Sequence, residues 1–237
     1  MKKNRLFNLI TLALLFAMLS IAAVDYDPKT PLQGMDPDDF VSEVDNPYFP
    51  LTPGTTFIYA GETDGVPTSD EMNVKHQTKQ ILGVATTVVH HLSYEDGVLV
   101  EDTLDWFAQD VDGNVWYFGE DTKELDEDGN VVSTEGSWEA GVDGAQAGII
   151  MPADPKKGDK YQQESAPDIA EDMAQIVGFE DSLCVSYGCF ENVLVTKEWS
   201  PLEKQVVENK YYAEGVGFIF GDMVKGGDEQ SELVEVQ

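Results

Sequence analysis

Glu101, Asp102, Asp105, Glu120 and Asp121 are the residues whose type and spacing come nearest to a chemical function. Four of them flank Leu104 to Phe118 and Asp105 lies just inside it; there two aromatic-rich runs surround Asp-Val-Asp-Gly-Asn, and Asp-Gly between such runs signals a β-hairpin. Antiparallel pairing would gather the five carboxylates at the hairpin's open end. Directly opposed like charges destabilise a sheet, so such a cluster wants a cation, high salt or divergence into water. Oxygen ligands from neighbouring strands suit calcium, which makes these five the candidate metal site. Glycoside hydrolysis also needs two carboxylates, about 5 to 10 Å apart around a sugar. Among 45 acidic residues, though, finding a pair discriminates little.

Within the hairpin turn, Asp110, Asp112 and Asn114 look like half of a calcium loop. Gly113 stands fourth rather than sixth and no glutamate is twelfth, so an EF-hand is excluded and an ordinary turn expected. If Asp112-Gly113 is a two-residue turn, Phe107 faces Phe118. If Val111-Asp112-Gly113 is a three-residue loop, Trp106 faces Phe118 and Phe107 faces Tyr117. His91 is expected in an ion pair across the Glu95-Asp96-Gly97 turn, with Asp102 for a two-residue loop or Glu101 for three. Trp106, Trp116, Phe118, Tyr211 and Phe218 are expected mostly in the core. If the sheet curls around open space, they become the wall of a pocket for an apolar ligand. No Gly-x-Ser-x-Gly, His-Glu-x-x-His, phosphate loop or dinucleotide fingerprint occurs.

The elements that must hold these residues are strands. A short helix is expected after Asp36 as N-cap with Pro37 at its first position, presenting Phe40, Val41 and Val44. Asn46 to Gly54 carries three prolines and must be extended. Strands are expected at Thr55–Ala60, Met72–Leu82, Val84–Leu92, Val98–Ala108 and Val131–Trp138. Ile169, Met173, Ile176 and Val177, ended by Gly178, predict a second helix over Pro167 to Val177.

Several motifs recur roughly 105 residues later, which points to a duplication. Phe49-Pro-Leu-Thr-Pro-Gly54-Thr-Thr-Phe57 resembles Met151-Pro-Ala-Asp-Pro-Lys-Lys-Gly158-Asp-Lys-Tyr161. Gly83 matches Gly188, Val88-Val89 matches Val193-Leu194, Phe107-Ala108 matches Tyr212-Ala213, and Phe118-Gly119 matches Phe220-Gly221. The expected fold is all-β: an antiparallel curved sheet or barrel-like sandwich of two pseudo-repeats of about five strands, with one or two short helices. The first half spans 49–138, a linker 139–150 and the second half 151–237, the two packed as one domain. Residues 24–48 form an irregular lead-in.

Met1 to Ala23, with a basic start and an apolar run before small residues, reads as a cleaved signal peptide, so the protein is expected to be periplasmic or extracellular. Its removal leaves 214 of 237 residues and takes Lys2, Lys3 and Arg5 away. The 14 basic residues become 11 against 45 acidic, a net of −34 with no arginine. That surface excludes nucleic acid and anionic lipid, which are bound mainly through Lys and Arg, and no membrane insertion is expected. In an oxidising compartment Cys184 and Cys189, bracketing Val-Ser-Tyr-Gly, are expected to form a disulfide across a turn at Ser186-Tyr187.

The phrases FPLTPGTTFIYAG and YYAEGVGFIFG resemble those of uncharacterised bacterial secreted proteins and lipoproteins, including domains that curl an antiparallel sheet into a half-barrel. The resemblance spans most of the mature chain and implies no catalytic positions. The lipidation cysteine of the lipoproteins is missing here. The leading expectation is a non-enzymatic secreted protein that binds a small apolar molecule, needing no cofactor but open to calcium stabilisation. The alternatives are a structural or cell-surface interaction protein without a pocket, and a carboxylate hydrolase.

Overall fold

The computed structural model describes residues 36–237, so the expected signal peptide lies outside the described residues. The strands in chain order are β1 (Phe40–Val41), β2 (Thr56–Thr63), β3 (Val66–Ile81), β4 (Val84–Glu95), β5 (Val98–Asp110), β6 (Val115–Leu125), β7 (Val131–Ser133), β8 (Trp138–Glu139), β9 (Gln146–Met151), β10 (Lys160–Gln162), β11 (Glu164–Ser165), β12 (Met173–Val185), β13 (Gly188–Trp199), β14 (Val207–Ala213), β15 (Gly217–Lys225) and β16 (Glu229–Val236). The fold is all-β. Two-residue turns at Asp64-Gly65, Leu82-Gly83 and Asp96-Gly97 all have positive φ, the type I′ geometry that matches strand twist.

The sheet runs β10-β12-β13-β14-β15-β16-β2-β3-β4-β5-β6-β9-β11, antiparallel throughout. Its two ends are held by one stretch of chain. Residues 160–162 pair with β12 and residues 164–165 with β9, with only Gln163 between. The sheet thereby curls into a nearly closed barrel. Gly148 is needed at this seam, because a Cβ there would collide with the Gln163 carbonyl.

The barrel is two meanders of six strands, one more than expected in each. The first is β2-β3-β4-β5-β6-β9 and the second β10-β12-β13-β14-β15-β16. Their registers agree. The Gly54 amide donates to the Val74 carbonyl at 2.8 Å and Val74 to Thr55 at 2.9 Å; Gly158 to Ile176 and Ile176 to Asp159, both at 2.9 Å, repeat the pattern. Phe57 pairs with Met72 where Tyr161 pairs with Ala174. Phe107-Ala108 face Tyr117 and Trp116 where Tyr212-Ala213 face Phe218 and Gly217. The other matched motifs are displaced. Gly83 sits in a turn and Gly188 just after one, Phe118 corresponds to Ile219, and Val89 corresponds to Thr196, since each half carries its own bulges.

Four expectations are corrected. Pro167–Val177 is not a helix; β12 begins at Met173, with Ala174 and Ile176 buried and Val177 exposed. That is the period of a strand, and Gly178, at φ 140°, occupies a bulge rather than a helix cap. Pairing with β13 and β10 overrides the local helical spacing. At the N-terminus the Asp36 cap and Pro37 hold only one turn of 3-10 helix, Pro37–Asp39, because Phe40 and Val41 pair with β5. Within the expected linker, Gln146–Met151 is a barrel strand beside β6. The Val131–Trp138 strand is two short pieces.

Candidate functional site

The central hairpin closes through the three-residue loop Val111-Asp112-Gly113, with Gln109 opposite Val115 and Phe107 opposite Tyr117. Asp110 builds that loop. Its Oδ1 accepts from the Asp112 and Asn114 amides at 3.0 and 2.9 Å, and its Oδ2 from Asn114 Nδ2 and Trp116 Nε1 at 2.9 and 2.8 Å. A carboxylate saturated by N–H donors has no lone pair left for calcium.

A bulge beside Trp106 then sets Asp105 opposite Glu120 and decides which side chains face inward. Alternation puts Glu101, Thr103, Asp105 and Phe107 on the concave face and Asp102 and Leu104 on the convex one. The five carboxylates are thereby divided. Asp102 bonds His90 at 2.9 Å and Asp121 bonds Lys123 at 3.1 Å on one side, while Glu101, Asp105 and Glu120 turn to the other. Among the described residues no group of three or more His, Cys, Asp or Glu side chains is arranged to hold a metal ion.

The expected aromatics divide the same way. Phe218 lines the central cavity, but Trp106, Trp116, Phe118 and Tyr211 do not. Trp106 lies under Lys79, whose Nζ is 3.1 Å from the ring centroid and 2.7 Å from Glu139. Phe118 packs edge-on against Phe40 at 5.5 Å, and Tyr211 against Phe220 at 5.4 Å. The alternation of the hairpin was legible, but its parity was not. The convex face near the 111–113 loop is covered by the lead-in and by residues around 139, so it is as apolar as the interior.

The barrel encloses a cavity of about 480 Å³ walled by both halves. Its two ends differ in chemistry. Toward the 111–113 loop the wall is apolar, with Phe49 packed on Phe107 at 5.2 Å, Phe107 stacked on Tyr117 at 4.7 Å, and Leu51, Phe57 and Val74 buried beside them. Away from that end the inward positions turn polar on four strands: Val74 to Met72 to Asp70 on β3, Val89 to His91 to Ser93 on β4, Phe107 to Asp105 on β5, and Tyr212 to Lys210 to Glu208 on β14. Exposure rises in the same direction, from buried Val74 to exposed Glu229, so the mouth is acidic.

At the polar level His91 Nε2 lies 3.0 Å from Asp70 Oδ1, and Ser93 Oγ donates to the same oxygen at 2.7 Å. The expected partners of His91 were Asp102 or Glu101. The turn does have two loop residues, but a bulge between Ser93 and Tyr94 shifts the register by one and sets His91 opposite Thr103. The Asp70 contact holds His91 above its usual titration range and Asp70 below its own, although burial opposes both. In a hydrolytic triad the acid and the serine contact different nitrogens of the imidazole. Here Ser93 and Asp70 both meet Nε2, at 3.3 and 3.0 Å, and the serine proton goes to the aspartate. That arrangement does not activate a nucleophile.

In the second half Lys210 bridges Glu198 and Glu208 at 3.0 and 3.1 Å, and Glu198 also accepts from Thr196 at 2.7 Å and Tyr212 at 3.3 Å. Asp105 accepts from Tyr117 Oη at 2.6 Å. Burial pushes the carboxyls of Asp105 and Glu164 upward and that of Glu120 up to about 7; neighbouring carboxylates add to the rise at Glu164 and Glu120, while His91 and Tyr117 oppose it at Asp105. Asp105 and Glu120 were among the carboxylates singled out from sequence, whereas Glu164, Glu198, Glu208 and Lys210 were missed; the one available signal for them was Lys210, a lone cation within a strand of tyrosines.

These features define a class of protein: an acidic, nearly closed β-barrel of two fused six-stranded meanders around an amphipathic cavity. No family model and no curated protein matches the chain. Among solved structures, one described as a putative exported protein with a YmcC-like fold from Bacteroides fragilis is similar at 15% identity and a TM-score of 0.47, with 80% of this chain and 98% of that chain covered. One described as a putative lipoprotein from Parabacteroides distasonis is similar at 14% identity and a TM-score of 0.44, with the same coverage. The fold assignment rests on the strand register and not on these likenesses.

Proposed function

We propose that the protein is a secreted, non-enzymatic carrier or receptor for a small molecule held inside the barrel. The observation that carries this reading is the cavity, whose volume falls in the roughly 300 to 1,000 Å³ range of small-molecule sites. A barrel built only as a surface scaffold gains nothing by leaving that space open, because unfilled core forfeits dispersion contacts. The secreted location is supported by the Met1–Ala23 segment and by the Cys184–Cys189 disulfide, a bond that persists in oxidising compartments. Native mass spectrometry of the full chain purified from its own host tests the reading. A non-covalent adduct is expected, and Met72→Trp, which fills the cavity, is expected to lose it. Protein that carries no adduct and whose melting temperature no small molecule raises would instead be a structural barrel.

A further inference from the structure

Resting on the cavity being a small-molecule site, we propose that its ligand is an organic cation, an amine on an apolar body, with the ammonium seated at Glu164. The unequal supply of counter-charge inside the barrel points to this class. His91 serves Asp70, and Lys210 is taken by Glu198 and Glu208. Glu164 lies at the seam where the two meanders meet and lines the cavity with Asp105 and Asp172, and its side chain makes no ion pair among the described residues, Lys210 being bound elsewhere. Asp105 has a neutral phenol at 2.6 Å.

The second observation is independent of charge. Gln163 is 2% exposed and lines the cavity, yet its side-chain nitrogen has no hydrogen-bond partner among the described residues. A buried amide without a partner costs about 1 to 3 kcal/mol, so such groups are retained where something satisfies them. Rotated about its last bond, the amide turns its oxygen to the same place and accepts from an ammonium N–H.

Other ligand chemistries fit less well. An anion would meet Asp105, Glu164 and Asp172 together. A bare metal ion finds no grouped ligands among the described residues. A wholly apolar molecule would fill the Phe57, Phe107 and Phe218 end and leave the Glu164 carboxyl and the Gln163 amide without a polar partner. An ammonium head with an apolar tail answers both ends of the cavity.

Isothermal titration calorimetry of the full mature chain at neutral pH, with n-octylamine, n-octanol and octanoate as probes, tests the class. The amine is expected to bind roughly tenfold or more tightly than the alcohol, and octanoate not to bind. Glu164→Gln should abolish most of that preference while leaving the alcohol unchanged, which also reports an intact pocket; Asp105→Asn should reduce it less. If Glu164→Gln fails to fold, Asp105→Asn and Asp172→Asn carry the same comparison. Equal binding of amine and alcohol, a preference that survives these substitutions, or no binding of any probe would overturn the amine assignment. A native adduct from the host would then still uphold the small-molecule reading, so the two fail separately.

Discussion

In the first half of the barrel β4 and β5 turn His91 and Asp105 inward; in the second, β13 and β14 place Glu198 and Lys210 at the same two register positions. Around them Asp70 corresponds to Asp172, Thr103 to Glu208, Phe107 to Tyr212, Tyr117 to Phe218, and Tyr59 to Gln163. Apart from Tyr59, replaced by Gln163, these aromatic positions kept their character, while the two charged positions exchanged sign. The apolar end must fill space, which tolerates only bulky side chains; the polar end must balance charge, which can be met with the acid on either strand. The exchange leaves a titratable base in one half and a permanent one in the other.

The comparison breaks first at Lys210. Lys210→Met leaves Glu198, almost fully buried, beside Glu208 without a cation. We expect a loss of about 2 to 3 kcal/mol at neutral pH, below the full cost of breaking a buried pair because a third of the lysine side chain meets solvent. Thermal melting should fall by several degrees, and Glu198→Gln in the same chain should restore most of it. An unchanged melting temperature would mean the bridge does nothing for stability.

Next is pH. Glu120 titrates at about 7 in the fold against an ordinary 4.5, so the folded state holds this proton more tightly than the unfolded chain. Its contribution is greatest below pH 4.5, declines as pH rises through 7, and is level above. Glu101 and Asp105 face it as further negative charges, with Thr122 and Tyr117 opposing the shift. The raised His91 acts in the same direction: its stabilisation is present below its ordinary 6.5 and lost as pH rises through its raised value. Asp70, lowered, acts oppositely only at strongly acid pH. Melting temperature should therefore be higher at pH 5 than at pH 8, and Glu120→Gln should remove on the order of 2 kcal/mol of that slope. An unaltered slope would sink the assignment to Glu120.

The long hairpins differ in how they reverse. In β3-β4 the backbone does it, with Leu82 at φ 51° and Gly83 at φ 85°. In β12-β13 the turn Ser186-Tyr187 has no glycine and Cys184–Cys189 closes it. Replacing both cysteines by serine should cost about 2 kcal/mol by the chain-entropy account, read as a shift in denaturant midpoint. An intact midpoint would show that pairing alone holds the turn.

The smallest effect is expected at His91. His91→Gln leaves Ser93 bonded to Asp70, so the loss should be about 1 kcal/mol, well under that of Lys210→Met. Equal losses would erase the contrast between the halves.

Much of this was legible in the chain. Asp-Gly and Leu-Gly pairs between alternating runs specify hairpins through their positive φ, the Pro-Gly lead-ins and the Phe-Ala and Tyr-Ala pairs disclose the duplication, and the cysteine spacing anticipates a disulfide. Local chemistry determines those features, since each depends on a few adjacent residues. Asp105 and Phe218 apart, the site was illegible for a different reason. Three bulges, near Trp106, Ser93 and Gly178, each shift a register by one, and a one-residue shift reverses which side chains face the lumen. Only closure of the sheet, through Gln163 joining β10 to β11, decided that Phe107, Tyr117, Asp105 and Glu164 surround a common space while Trp106 and Trp116 do not.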